Sequence, residues 1–238
     1  VTNAAIMQTV ILPDADAVAQ RAASFIAAEA RAAVAARGRF VFAVSGGHTP
    51  WAMLRALAGE SMPWSVTHLF QVDERIAPDG DPDRNLTHIR QVLLGSVELA
   101  PGGLHAMPVN DPDLPAAAGR YAHEIERMAP PRAALDLVHL GLGPDGHTAS
   151  LVPGDPALLV TNSDVALTDV YLGRKRMTLT YPALDRARRV LWVVTGAEKA
   201  RMLARLRAGD RTIPAGRVRS DDAIVLADRA ALGQDSAR

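Results

Sequence analysis

Short unbroken apolar runs alternate along the chain with longer stretches whose apolar residues recur every three or four positions. Residues 40–44, 66–72, 135–140, 189–195 and 223–227 are apolar runs of strand length. A strand covered on both faces carries such a run, without polar alternation. Residues 104–109 form a weaker candidate. Val18, Ala22, Phe25, Ile26 and Ala30 stand at helical spacing within 14–38, and Gly38 supplies a stop. The helical pattern returns in 85–94, in 115–128 (where Tyr121, Ile125 and Met128 share a side) and in 196–207. Strands alternating with helices predict an α/β fold, a mostly parallel sheet with helices on both faces. No repeat or low-complexity tract interrupts the pattern. The Pro/Gly-rich stretch 101–115 reads as a long connection rather than a boundary. One domain over residues 1–238 is expected.

Composition narrows the classes of function. Lys+Arg and Asp+Glu both number 26, so the net charge is zero. That argues against a general nucleic-acid binder or a membrane-surface protein. The absence of cysteine removes disulfides, zinc knuckles and a thiol nucleophile together. No apolar run reaches the roughly 18 residues of a membrane span. The first residues show no basic segment followed by an apolar core. A cytoplasmic protein is expected. Only two lysines occur, Lys175 and Lys199, so each stands out against an arginine-rich background.

Four polar or glycine-rich segments follow predicted strands, and in a parallel sheet they share the edge over the strands' carboxyl ends. The first is the loop Ser45-Gly46-Gly47-His48-Thr49-Pro50. Its glycines let backbone N–H groups converge on an anion beside the positive N-terminus of a helix, whose first turn suits Pro50. A plain tight turn explains the same residues equally well. The second is a loop opened by Asp73-Glu74-Arg75. Asp73 suits sugar hydroxyls or the orienting of a base, and Arg75 suits a carboxylate or phosphate. A solvated loop with a local ion pair is the alternative.

In the third segment, Gly141, Gly143 and Gly146 loosen the chain around Pro144 and Asp145 and deliver His147. Glycine permits close approach, and imidazole titrates near neutral pH. A packed histidine is the alternative; His68 and His139, which fall inside strands, read better as packed or edge residues. The fourth, Thr195-Gly196-Ala197-Glu198-Lys199, sets Lys199 in the first turn of a helix. A cation there opposes the helix dipole unless it meets an anion. The triplet Arg174-Lys175-Arg176 enters a further strand at 177–180, either as part of a phosphate site or as a solvated turn.

Several mechanisms lack their residues. There is no GxSxG elbow, since Ala43-Val44 precede Ser45. His123-Glu124 lacks the second histidine of HExxH. The histidines lack metal-ligand spacing, so no metal is expected. Gly141, Gly143 and Gly146 match GxGxxG only formally, because no acidic residue ends a strand about 20 residues later.

Taken in order, several motifs resemble the 6-phosphogluconolactonase family. They are the Ser45–Pro50 loop, Asp73-Glu74-Arg75, Arg84-Asn85, the run from Gly141 to Leu151, Arg176-Met177-Thr178-Leu179-Thr180 and the Lys199 segment. The resemblance extends from about residue 10 to about residue 230. It implies a Rossmann-like sheet related to glucosamine-6-phosphate deaminase. It also implies hydrolysis of 6-phospho-D-glucono-1,5-lactone in the oxidative pentose phosphate pathway, without metal or organic cofactor. By resemblance His147 is the general base, with Asp145 either orienting the ring or shaping the turn. Asp73 and Arg75 join it at the reacting end, where Arg75 or backbone N–H groups meet the oxyanion. Ser45, Gly46, Gly47, His48, Thr49, Arg176 and Lys199 fall to the phosphate, with Asn85 and Gly143 as further substrate contacts. The implied partner is the phosphosugar lactone alone, bound by a monomer or small homo-oligomer.

Two residues depart from the family pattern, which usually has serine at the positions of His48 and Arg84. Two rivals share the fold. A sugar-phosphate deaminase carries GHIAFNEP, with glutamate five residues after the histidine, and tyrosine where this chain has Arg75. Here the fifth residue after His147 is Val152. A sugar-phosphate-sensing domain would come with a helix-turn-helix segment and a basic face, which this charge-neutral chain does not favour.

Overall fold

The computed structural model describes residues 7–130, 132 and 134–233. Both ends of the expected 1–238 domain lie outside them. In chain order the strands are β1 (Gln8–Leu12), β2 (Phe40–Val44), β3 (Thr67–Gln71), β4 (Asp73–Arg75), β5 (Leu104–His105), β6 (Leu137–Leu140), β7 (Val165–Leu167), β8 (Arg176–Leu179), β9 (Val190–Val194) and β10 (Ala223–Asp228). The helices are α1 (Ala15–Arg37), α2 (His48–Ala58), α3 (Asn85–Ile89), α4 (Leu114–Met128), α5 (Tyr181–Arg186) and α6 (Ala200–Arg207).

Seven strands form one parallel sheet in the order β1-β10-β9-β6-β2-β3-β5. Strand alternation divides its side chains between two cores. Phe40, Phe42 and Val44 of β2 pack with α1 and α2 on one face, while Val41 and Ala43 pack with α4, α5 and α6 on the other. This double cover explains why the strands read as unbroken apolar runs. The Asp14 side chain starts α1 by accepting from Ala17 N at 2.8 Å, and Gly38 ends it. No helix among the described residues is long and apolar enough to cross a membrane.

The order has one reversal that matters for function. From β2 the chain runs outward to β3 and β5, then returns to the other side of β2 as β6. The crevice between the carboxyl ends of β2 and β6 is therefore the switch point where open α/β sheets bind ligands. A second sheet, antiparallel in the order β4-β8-β7, adjoins that edge.

The small sheet corrects the reading of Asp73-Glu74-Arg75 as a loop. These residues are β4, paired with Thr178, Met177 and Arg176 of β8. His48, Thr49 and Pro50 likewise form the first turn of α2 rather than a loop. The strand expected at 104–109 is two residues long. The helix expected at 85–94 is α-helical only to Ile89 and continues as a π turn over Arg90–Leu94. The helix expected from 196 starts as a 3-10 turn, Ala197–Lys199.

Candidate active site

The exit of β6 builds a tight frame around His147. Gly143 N donates to His147 O at 2.8 Å, Gly146 N to Gly143 O at 3.0 Å, and Thr148 Oγ1 to Gly141 O at 2.9 Å. The imidazole lies against Gly143 so closely that a Cβ there would sit 2.1 Å from Nδ1. Asp145 Oδ1 accepts from the His147 backbone N–H at 3.1 Å and from the ring Nδ1 at 2.6 Å. One carboxylate oxygen thus both shapes the turn and orients the ring. A carboxylate only accepts, so Nδ1 carries a proton, and in the neutral ring that leaves the lone pair on Nε2. Partial burial pushes the Asp145 carboxyl up, but the backbone N–H and ring of His147 outweigh it and hold the group below its ordinary value.

Across the switch crevice, the β2 exit leads into α2 through Gly47. Ser45 is buried, and its donors go to β6: N to His139 Nδ1 at 3.3 Å and Oγ to His139 O at 3.1 Å. Gly46 approaches Asn85 so closely that a Cβ would fall 1.9 Å from Asn85 Oδ1. Thr49 Oγ1 meets Thr195 Oγ1 at 2.5 Å, joining the α2 start to the β9 exit. Lys199 ends the 3-10 turn there, its Nζ 3.8 Å from Glu198 Oε1.

β4 presents Asp73 and Arg75 on one face and Glu74 on the other, as strand alternation requires. Asp73 Oδ2 accepts from Ser150 Oγ at 2.6 Å, and Asn85 Nδ2 donates to Asp73 O at 2.9 Å. Arg75 Nη1 donates to Asn85 Oδ1 at 2.8 Å and Asp83 O at 2.9 Å. Arg75 and Arg176 are register partners across the small sheet. The Nε of each is buried without a hydrogen-bond partner among the described residues. Two adjacent guanidiniums with unused donors suit an anion. Burial and the neighbouring Arg75 lower the Arg176 pKa, while the Asp73 charge opposes the shift.

Ser45, Gly46, Gly47, His48, Thr49, Asp73, Arg75, Asn85, Gly143, His147, Arg176 and Lys199 all line one cleft of about 520 Å³. Asp145 is outside that lining and touches His147 instead. Arg174 of the basic triplet does not join them; it pairs with Asp81 at 3.1 Å and Asp83 at 2.9 Å. Sequence reasoning missed Glu74 as a support. Fully buried, it accepts from Gln71 Nε2, Arg75 N, Asn85 N and Leu86 N, and so caps the start of α3. Three consecutive charged residues show no alternation, so the sequence held no signal that Glu74 faces inward. Tyr171 was missed too; its hydroxyl donates to Asp145 Oδ2 at 3.2 Å. Among the described residues, no cluster of three or more His, Cys, Asp or Glu is arranged to hold a metal ion.

A family model described as glucosamine-6-phosphate isomerases/6-phosphogluconolactonase matches residues 13–226. The chain belongs to this family. Within it, the chain is 36% identical over 200 residues to a 6-phosphogluconolactonase of Nostoc sp., covering 82% of this chain and 83% of the relative. It is 35% identical over 238 residues to the 6-phosphogluconolactonase of Mycobacterium tuberculosis, covering 94% and 96%. The crystal structure of 6-phosphogluconolactonase from Thermotoga maritima superposes with a TM-score of 0.83 at 27% identity, over 93% of this chain and 98% of that one. A monomeric glucosamine-6-phosphate deaminase superposes with a TM-score of 0.84 at 19% identity, which shows the shared fold alone.

Proposed function

We propose that the protein is a carboxylic ester hydrolase that opens 6-phospho-D-glucono-1,5-lactone to 6-phosphogluconate, a step of the oxidative pentose phosphate pathway. The names of the Nostoc and Mycobacterium tuberculosis relatives support the substrate. The mechanism rests on one observation, the Asp145–His147 pair beside a cleft lined by Arg75, Arg176 and Lys199. His147 Nε2 takes a proton from water, and the hydroxide attacks the lactone carbonyl. Arg75 and backbone N–H groups of the glycine loops stabilise the oxyanion. The imidazolium, steadied by Asp145, returns its proton to the departing ring oxygen, and the product acid ionises.

The substrate phosphate is assigned to the Ser45–Thr49 segment at the α2 N-terminus, with Arg176 and Lys199 as counter-ions. Ser45 serves there by fixing the loop, since its donors are committed to His139. Asp73 and Asn85 take sugar hydroxyls. The chemistry calls for neither metal nor organic cofactor. The same reading proposes a cytoplasmic single-domain enzyme, monomeric or a small homo-oligomer. Val152, buried, stands where the deaminase reading needs a carboxylate. A hydrocarbon side chain cannot shuttle the protons of ring opening, which disfavours that reading.

Acid release from freshly made lactone, corrected for spontaneous opening, tests the base. His147→Ala is expected to lose about 10²- to 10⁴-fold in turnover while retaining affinity for 6-phosphogluconate. Near-normal turnover would overturn the assignment.

A further inference from the structure

We propose that Tyr171 is a positioning residue for this reaction, locking Asp145 and His147 into a three-member relay from outside the loop that carries them. The proposal rests on His147 being the base. The Tyr171 hydroxyl donates to Asp145 Oδ2 at 3.2 Å, while Oδ1 accepts from the His147 ring at 2.6 Å. With both oxygens engaged, the carboxylate cannot rotate away from the imidazole. The Tyr171 ring also meets the His147 ring edge-on, at 5.6 Å between centroids and 68° between planes. On its face lies the Arg176 guanidinium, 5.1 Å from the ring centroid. The tyrosine is thereby held from two sides.

Its backbone is held as well. Tyr171 and Arg174 pair across a two-residue turn, with Tyr171 N donating to Arg174 O at 3.0 Å. The turn residues Leu172 and Gly173 have φ of 51° and 81°. Two positive values mark the type I′ turn that suits a hairpin's twist. Leucine in the left-handed region is strained and persists only where its surroundings impose it. Arg174 supplies that restraint through its ion pairs with Asp81 and Asp83.

The chemistry gives the relay a measurable sign. Burial and the Asp145 charge raise the Tyr171 pKa, so the phenol stays a donor. A donor on Oδ2 draws charge away from Oδ1, and a less basic carboxylate stabilises the imidazolium less. Loss of the hydroxyl therefore makes His147 more basic. Asp145 touches the ring from its own loop, and the charged or titratable groups that line the cleft with His147 are His48, Asp73, Arg75, Arg176, Glu198, Lys199 and Asp228. Tyr171→Phe removes a hydrogen bond from Asp145 and leaves the formal charge of every one of these groups unchanged.

The test measures kcat and KM against pH for Tyr171→Phe, Tyr171→Ala and His147→Ala, with fresh lactone as substrate. Tyr171→Phe is expected to lower kcat about ten-fold at neutral pH, the scale of one hydrogen bond, with KM near wild type. The acid limb of its kcat profile is expected at higher pH. Tyr171→Ala, which also loses the ring packing, is expected to fall further. Unchanged kcat with an unmoved acid limb in Tyr171→Phe would overturn the proposal, as would an effect confined to KM. If His147→Ala is inactive and Tyr171→Phe is silent, only the positioning role fails. If His147→Ala turns over normally, the base itself is misassigned and the relay falls with it.

Discussion

A methyl group at Gly143 would lie 2.1 Å from His147 Nδ1, so this residue carries a test of ring placement. Its φ is outside the left-handed region, and alanine is compatible with the backbone. Gly143→Ala is therefore expected to keep the fold and displace the imidazole. A shift of about 1 Å in a reacting group can cost about 10²-fold in rate. Steady-state kinetics beside a thermal melt check this, and a fully active Gly143→Ala would mean that the ring placement is not limiting. The place of His147 on the cleft was legible from the glycine-rich strand exit that carries it. Tyr171 was not, because it reaches Asp145 from 26 positions away, in a segment with no apolar period. Asp145 left two roles open in the sequence, and the geometry gives it both through a single oxygen.

At the scale of elements, the β7–β8 hairpin stores strain at Leu172, whose side chain is 80% exposed. Asparagine tolerates the left-handed region, and Asn-Gly is the favoured pair for a type I′ turn. Leu172→Asn removes little buried surface, so it is expected to stabilise the protein by about 0.5–1 kcal/mol. A urea melt that shows destabilisation would contradict the strain argument. The hairpin also shows why some elements escaped the sequence. β7 and β4 are three residues each, too short for a period, and form by pairing with β8. The charges of Asp73-Glu74-Arg75 suggested a loop, but β8 supplies the ladder that makes them a strand. β1 carries the polar Gln8 and Thr9 at a sheet edge and leans on β10 alone. Long helices and fully buried strands needed no such partner to be seen.

For the whole molecule, the alternation of strands and helices was legible, while the strand order was not, because local pattern does not encode who pairs with whom. That order places the β2 and β6 exits side by side, and His139 ties them together. Its Nδ1 accepts from Ser45 N, and its Nε2 has no hydrogen-bond partner among the described residues. Full burial pushes the His139 pKa down from 6.5 to about 3. In the unfolded chain the ring protonates near its ordinary value, so below about pH 6.5 the unfolded state binds the proton first. His139 thus contributes stability that is complete above that pH and is lost progressively as pH falls toward 3. The slope from this one site is at most about 1.4 kcal/mol per pH unit. His139→Asn keeps an acceptor for Ser45 N but does not titrate. Its stability in urea melts from pH 7 to pH 4 is expected to decline less steeply than that of the parent. Parallel curves would show that His139 takes up no proton on unfolding and that the switch point is braced by something other than a neutral buried imidazole.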